Sequence, residues 1–194
     1  MPRHTTHHGA LSANAALERL REGNAQFIDA LHNTAPVSHD IRELLAVEGQ
    51  NPYAAILACA DSRVVPEHIF MAGIGELFTV RVAGNIATET QVASLTYAID
   101  HCDTKLIVVL GHTNCGAIGA TLAGGASGCV AALTNVIAPA IGEEHRSMDA
   151  ARLNVQAAVS TISAEPEIAH FIENNGVRIV GALYHLDTGL VEWM

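Results

Sequence analysis

The sequence predicts an α/β fold with a mostly parallel central β-sheet, flanked by α-helices and finished by an antiparallel edge. Three observations carry that prediction. Two short, nearly unbroken apolar runs, at 54–58 and 106–110, read as strands buried on both faces of a parallel sheet, because a strand with one wet face would alternate. Between a further strand candidate at 77–83 and the run at 106–110, the stretch 88–101 sets Val92, Leu95, Ala98 and Ile99 at helical spacing. That order of strand, helix and strand is a crossover unit. Near the end, a strand at 177–185, a turn signal at 187–189 and a short return at 190–193 make a hairpin-like pair that breaks the parallel pattern.

The remaining elements follow along the chain. Residues 1–10, M-P-R-H-T-T-H-H-G-A, are polar and His-rich and read as a flexible arm ahead of a single domain over 11–194. Ser12 is an N-cap for a helix in which Ala16, Leu20, Phe27 and Leu31 recur at helical spacing. A second helix starts near Ser38, groups Ile41, Leu44 and Leu45 on one face, and ends at Gly49. Beyond Cys115 the chain reads as helical through a Gly-rich loop at 124–128, past Pro139, and again over 150–162.

Composition narrows the function classes. Of 194 residues, 49% are apolar and only 15% charged, against a usual charged share of roughly 25%. Such a chain buries enough apolar surface to fold, and its thin polar coat argues for a homo-oligomer. A formal charge of −10 excludes nucleic acid as a partner, since phosphate binding needs a basic face. No apolar stretch reaches the ~18–20 residues of a spanning helix, and the first thirty residues lack the apolar core of a secretory signal. The unevenly spaced Cys59, Cys102, Cys115 and Cys129 then read as thiols or metal ligands, and the expected location is cytoplasmic.

The chemistry gathers where the two buried runs stop. After 54–58 comes C-A-D-S-R, with Cys59, Asp61 and Arg63; after 106–110 comes G-H-T-N-C-G, with His112, Cys115 and Gly116. Ligands of open α/β sheets bind at the carboxyl ends of strands, and two thiolates with one imidazole form a known zinc set. A closed structural site wants four Cys or His, and no fourth stands at short spacing. His68 lies beyond Arg63 on a short helix after Pro66, while His101, Cys102 and Cys129 read as structural. Three ligands leave a position for water, the arrangement of a catalytic zinc. In an extended segment residues 59, 61 and 63 point the same way. Asp61 would then accept the remaining proton of zinc-bound water, with Arg63 holding it ionised. Alternatively, Asp61 itself becomes the fourth ligand and shuts the site.

These residues resemble the β-class carbonic anhydrases. C-A-D-S-R-V-V-P-E is similar to that family's Cys-x-Asp-x-Arg segment, and G-H-T-N-C-G-A to its His-x-x-Cys segment. The likeness extends to L-R-E-G-N-A-Q-F (20–27), G-E-L-F-T-V-R-V-A-G-N (75–85) and V-G-A-L-Y-H-L-D-T-G-L-V (180–191), covering roughly 15–123 and 176–193. The resemblance implies one Zn²⁺ per subunit, held by Cys59, His112 and Cys115, with Asp61 and Arg63 as the orienting dyad. It implies a substrate pocket to which Gln50, Phe78, Tyr97 and the Gly116 N–H correspond, partly across a subunit interface. It also implies reversible hydration of CO₂ to bicarbonate by zinc-bound hydroxide. The assembly it implies is a homodimer or dimer of dimers, the amino-terminal helical arm packing on a partner through faces such as Leu17, Leu20 and Phe27. A non-catalytic bicarbonate pocket found in some members needs a Trp three residues before the first Cys. Ile56 stands there, and the one Trp is Trp193, so that pocket is not expected. Two rivals keep the same residues: a carbonyl sulfide or carbon disulfide hydrolase, and a non-catalytic zinc protein with Asp61 as a permanent ligand.

Overall fold

Five consecutive buried residues, Ala54–Ala58, form strand β1 near the middle of the sheet, in a computed structural model that describes residues 10–30 and 32–194. The arm expected over 1–10, apart from Ala10, and Leu31 of the first helix lie outside the described residues. In chain order the elements are helices α1 (Ala13–Asp29) and α2 (His39–Glu48), β1, the short helix α3 (Pro66–Ile69) and strand β2 (Leu77–Arg81). A 3-10 turn, Ala83–Asn85, leads to α4 (Glu89–Cys102), β3 (Leu106–His112) and α5 (Gly116–Leu122). Then come α6 (Ala131–Ile141), α7 (Ser147–Ser163), α8 (Pro166–Asn175), β4 (Arg178–Tyr184) and β5 (Val191–Trp193). The sheet order is β2-β1-β3-β4-β5, parallel except for the last pair. The expected class and its antiparallel edge are both present.

Because β1 and β3 are apolar throughout, each strand feeds two cores. Ile56, Ala58, Val108 and Leu110 face α1 and α3, while Ala55, Leu57, Ile107 and Val109 face α4, α7 and α8. A third cluster caps the carboxyl end of the sheet, where Cys59 and Cys115 pack with Ile86, Ile118, Ile137 and Leu183. Strand β3 runs two residues further than the apolar run suggests. Gly111 and His112 keep pairing with Leu183 and Tyr184 of β4, a register that no local pattern records. Helix α8, begun by Pro166 and closed by Gly176 at φ 69°, is a further element, distinct from the helix over 150–162 that the sequence predicts.

Helix α1 is capped as expected, Ser12 Oγ accepting from Ala15 N at 3.3 Å. The apolar residues named for a partner contact are engaged within the chain itself. Leu17 and Leu20 are buried in this chain's own core, with Phe27 packed against it. The reason is a suture at Gly23 and Asn24. A Cβ on Gly23 would lie 2.0 Å from the Phe70 carbonyl oxygen, so helix and loop touch backbone to backbone. Asn24 Nδ2 donates to the carbonyls of Gly189 (2.8 Å) and Ile69 (3.3 Å), and its Oδ1 accepts from Val191 N at 2.9 Å. These bonds turn the apolar stripe inward. Gly23→Ala should therefore destabilise the chain by about 3 kcal/mol, since neither backbone can yield. The measurement is a denaturant melt, with a lowered midpoint at unchanged slope.

Helix α2 behaves oppositely. Ser38 caps it and Gly49 ends it as predicted, yet none of its residues is buried, and Leu44 and Val47 stand exposed.

Candidate metal centre

Strands β1 and β3 are parallel neighbours in the register Ala58–Leu110, so the residues that follow them emerge side by side. Cys59 leaves the end of β1, His112 is the last residue of β3, and Cys115 is the N-cap of α5. All three are buried, and their ligand atoms lie within 4.8 Å of one another. The chain thus brings together the two thiols and the imidazole singled out from sequence.

The imidazole is prepared for a cation. His112 Nδ1 lies 2.9 Å from the carbonyl of Thr113. A carbonyl only accepts, so Nδ1 carries the hydrogen and Nε2 presents its lone pair. That Nε2 is buried and has no hydrogen-bond partner. A buried acceptor left facing two sulfurs calls for a missing partner, and a soft divalent cation suits the donor set. Thr113 is itself held by β4, its N–H donating to Tyr184 O at 3.0 Å and its Oγ1 accepting from Leu186 N at 3.1 Å.

The two thiols divide one proton. The hydrogen bond from Cys115 is the largest influence on Cys59, and it outweighs burial. With help from the N–H groups of Gly84 and Asp61, it lowers the Cys59 thiol well below the ordinary thiol range. Cys115 is pushed above the ordinary thiol range by the same sharing and by burial. Both thiols must give up their protons to bind a metal, and the sharing between them makes Cys59 the easier of the two to ionise. The N–H groups on Cys59 Sγ come from Gly84 at 3.2 Å and Asp61 at 3.4 Å.

Asp61 and Arg63 do flank the cluster, although the extended segment expected for 59–63 is absent. An Asx turn forms instead. Asp61 Oδ1 accepts from the Arg63 backbone N–H at 3.0 Å and from Arg63 Nε at 2.9 Å, and Oδ2 accepts from Arg63 Nη2 at 2.7 Å. The side-chain preference of Asp for its own backbone two residues on wins over strand alternation. Asp61 Oδ2 lies 3.9 Å from His112 Nε2. The Arg63 guanidinium is the chief cause that holds its carboxyl well below the usual carboxylate range, against a smaller opposing effect of burial.

Two residues near this loop had no role assigned from sequence. Arg81, at the end of β2, donates from Nε to Cys59 O (3.2 Å) and from Nη2 to Asp61 O (2.7 Å), fixing the loop backbone. Gly84 supplies its N–H to the sulfur from a backbone at φ 77°, and a Cβ there would meet Ile137 Cδ1 at 2.8 Å. Both stand in R-V-A-G-N, where the glycine was the available signal.

The expected pocket residues are not gathered at this cluster. Gly116 is, following Cys115 directly at an exposed first turn. Gln50 and Tyr97 line a groove of about 890 Å³ with Ile41, Leu44, Leu45 and Ile74, and none of the cluster residues lines it. Phe78, 6.1 Å from Tyr97 between ring centroids, pairs with Ala55 of β1. That register puts it four residues, roughly 13 Å of strand, before Cys59. Tyr97 is exposed, its ring stacked on His101.

Among the described residues, no helix is long and apolar enough to cross a membrane. A family profile described as carbonic anhydrase matches residues 54–191. Carbonic anhydrase 2 of Mycobacterium tuberculosis is 36% identical over 186 residues, 90% of this chain and 89% of that protein. The carbonic anhydrase of Mycolicibacterium smegmatis is 32% identical over 191 residues, 92% and 91% of the two chains. A tetrameric β-carbonic anhydrase of the filamentous ascomycete Sordaria macrospora superposes with a TM-score of 0.73 at 24% identity, over 80% of this chain and 86% of that one. A Coccomyxa β-carbonic anhydrase, solved with acetazolamide, superposes at 0.66 with 26% identity, over 79% and 81%.

Proposed function

This chain belongs to the β-class carbonic anhydrases, and from that premise we propose that it interconverts CO₂ and bicarbonate with one zinc held by Cys59, His112 and Cys115. The observation that carries the proposal is the buried cluster itself, two thiols and an unpartnered imidazole nitrogen within 4.8 Å, with Asp61 3.9 Å from that nitrogen. When bound, zinc supplies a Lewis acid that ionises water near neutral pH.

The chain's own groups then have defined tasks. Asp61 is an acceptor throughout the working range, because Arg63 keeps its carboxyl ionised. It therefore receives the hydrogen of the reacting water and orients that water's lone pair toward the carbon. The two-pronged grip of Arg63 keeps the carboxylate from turning to the metal, which favours an open site over a closed one. The Gly116 N–H is the donor proposed for the substrate oxygen. Apolar Ile86 and Ile118, packed with the cysteines, give a surface suited to a small uncharged gas.

The pH dependence follows. Asp61, depressed below its ordinary value, stays charged from pH 6.5 to 9 and adds no inflection there. Ionisation of the reacting water is the change left, and two thiolates should keep it at or above the value of roughly 7 typical of a site with three neutral His. CO₂ hydration by the zinc-replete protein, followed in stopped flow, should rise across that interval. A flat or falling profile would sink the assignment.

The separation of Gln50, Phe78 and Tyr97 from the cluster supports a shared site. Phe78 lies on β2, the outer strand of the described sheet, and Gln50 and Tyr97 line the groove beside the exposed residues of α2. We therefore assign them to the active site of a second copy in a homodimer or dimer of dimers, a neighbour of Sordaria macrospora being tetrameric. Sedimentation equilibrium should return a mass at least twice the 20.4 kDa chain. A monomer with full activity would overturn this arrangement.

A further inference from the structure

We infer that Asn154 of α7 is a positioning residue for Cys59, acting on its sulfur through the backbone of Gly84; this rests on the reading of Cys59 as a zinc ligand. Asn154 is 3% exposed on the stripe that α7 turns inward, among Ala150, Ala151, Val155 and Ala158. A carboxamide placed there costs stability unless its polar atoms are bonded. Its Nδ2 donates to Gly84 O at 2.8 Å, across 70 residues of sequence. Gly84 in turn donates its N–H to Cys59 Sγ at 3.2 Å. At φ 77° and ψ 13° this residue has a left-handed helical conformation, in which the N–H and C=O of one residue point in nearly opposite directions along the local axis. Gripping the carbonyl from α7 therefore aims the N–H at the sulfur.

The grip is needed because of what the turn is made of. Glycine holds its own conformation least well of all residues, and any other residue is strained here, since φ is positive and a Cβ would meet Ile137 Cδ1 at 2.8 Å and Ala117 Cβ at 3.1 Å. Backbone bonds hold the flanks, Val82 N to Ala58 O at 3.1 Å and Asn85 N to Val82 O at 3.0 Å. Neither of these touches the Gly84 carbonyl. The donor must also be an amide. An aspartate would set a carboxylate against a carbonyl, and a leucine would fill the space without a hydrogen to give.

The consequence falls on the sulfur. An N–H aimed at a thiolate draws charge from it, and outer partners of this kind govern how firmly a ligand is oriented and how much charge it donates. Asn154→Leu removes the donor at similar volume. Ala158→Gly, one turn on in the same helix, weakens α7 without touching a donor and serves as the structural control.

Cobalt(II) is the probe. In the wild type and in Ala158→Gly it should give the same sulfur-to-cobalt charge-transfer band. In Asn154→Leu that band should remain but move to longer wavelength, as an electron-richer sulfur yields its electron more easily. Release of zinc to a chelator should be about 10–100-fold faster in Asn154→Leu than in the control. An unchanged band and release rate in Asn154→Leu would overturn the inference while leaving the zinc reading intact. A wild type that takes up no cobalt would remove both. Should Asn154→Leu not fold, cadmium-113 NMR carries the test on Asn154→Ala and on the wild type. The wild type should show scalar coupling from cadmium to the Gly84 N–H and Asn154→Ala should not. Its absence from the wild type, or its persistence in Asn154→Ala, overturns the inference.

Discussion

Cys59→Ala, purified from zinc-supplemented medium, should carry under about a tenth of the zinc per chain of the wild type and should hydrate CO₂ no faster than buffer. The expectation follows from the donor count. Cys59, His112 and Cys115 are the cluster, and removing one leaves an imidazole and a single thiol, too few donors to hold zinc firmly. The variant should still fold, because Cys59 is a small side chain at the edge of the capping cluster. Loss of one sulfur there costs on the order of 1 kcal/mol, well within what a domain tolerates. Zinc content by atomic emission, a circular dichroism melt and the hydration assay, run on one preparation, separate metal loss from unfolding. Full zinc occupancy, or full activity without zinc, would refute the ligand assignment.

Asp61→Asn should give the contrasting result, with zinc retained at one per chain and activity reduced by roughly 10²-fold or more. Retention is expected because the Asp61 contact to Cys59 Sγ is made by the backbone N–H, and Arg81 holds the Asp61 carbonyl. Neither depends on the carboxylate. Activity should fall because asparagine can still accept from Arg63 with its oxygen, yet presents a donor where Asp61 Oδ2 presents an acceptor. The reacting water would meet a hydrogen instead of a lone pair. Arg63 would also lose its ionic partner, and the positive charge left uncompensated would draw solvent into the loop. Activity within about twofold of wild type would remove Asp61 from the mechanism. Zinc loss in this variant would instead argue that the carboxylate serves as a ligand.

How much of this was legible depends on which signal each feature writes into the chain. Strands β1 and β3 announced themselves because burial on both faces demands an unbroken apolar run. The three candidate ligands stand out because each motif begins where such a run ends. The pairing of Asp61 with Arg63 arises from a different backbone geometry than the sequence pattern suggests. Strand alternation would have placed them together, but an Asx turn does so, and both geometries suit an Asp two residues before an Arg. Leu17 and Leu20 show the converse. Their helical spacing says that one face is buried, and nothing in it says against what. The Gly23–Phe70 contact and the bonds of Asn24 settled that they serve this chain's own core.

By itself, then, the sequence determined the fold class, the strands at the centre, and the three residues able to hold a metal with a carboxylate and a guanidinium beside them. These rest on hydrophobic periodicity and on residue chemistry, both local properties. Tertiary structure alone decided that Arg81, Gly84 and Asn154 stand around Cys59, that Nε2 of His112 is the nitrogen left without a partner, and that Gln50, Phe78 and Tyr97 lie away from the cluster. Each of these depends on strand register or on a single bond between a side chain and a distant backbone. Such bonds form between groups that only the folded chain brings within hydrogen-bond reach, and they leave no period in the sequence to be read.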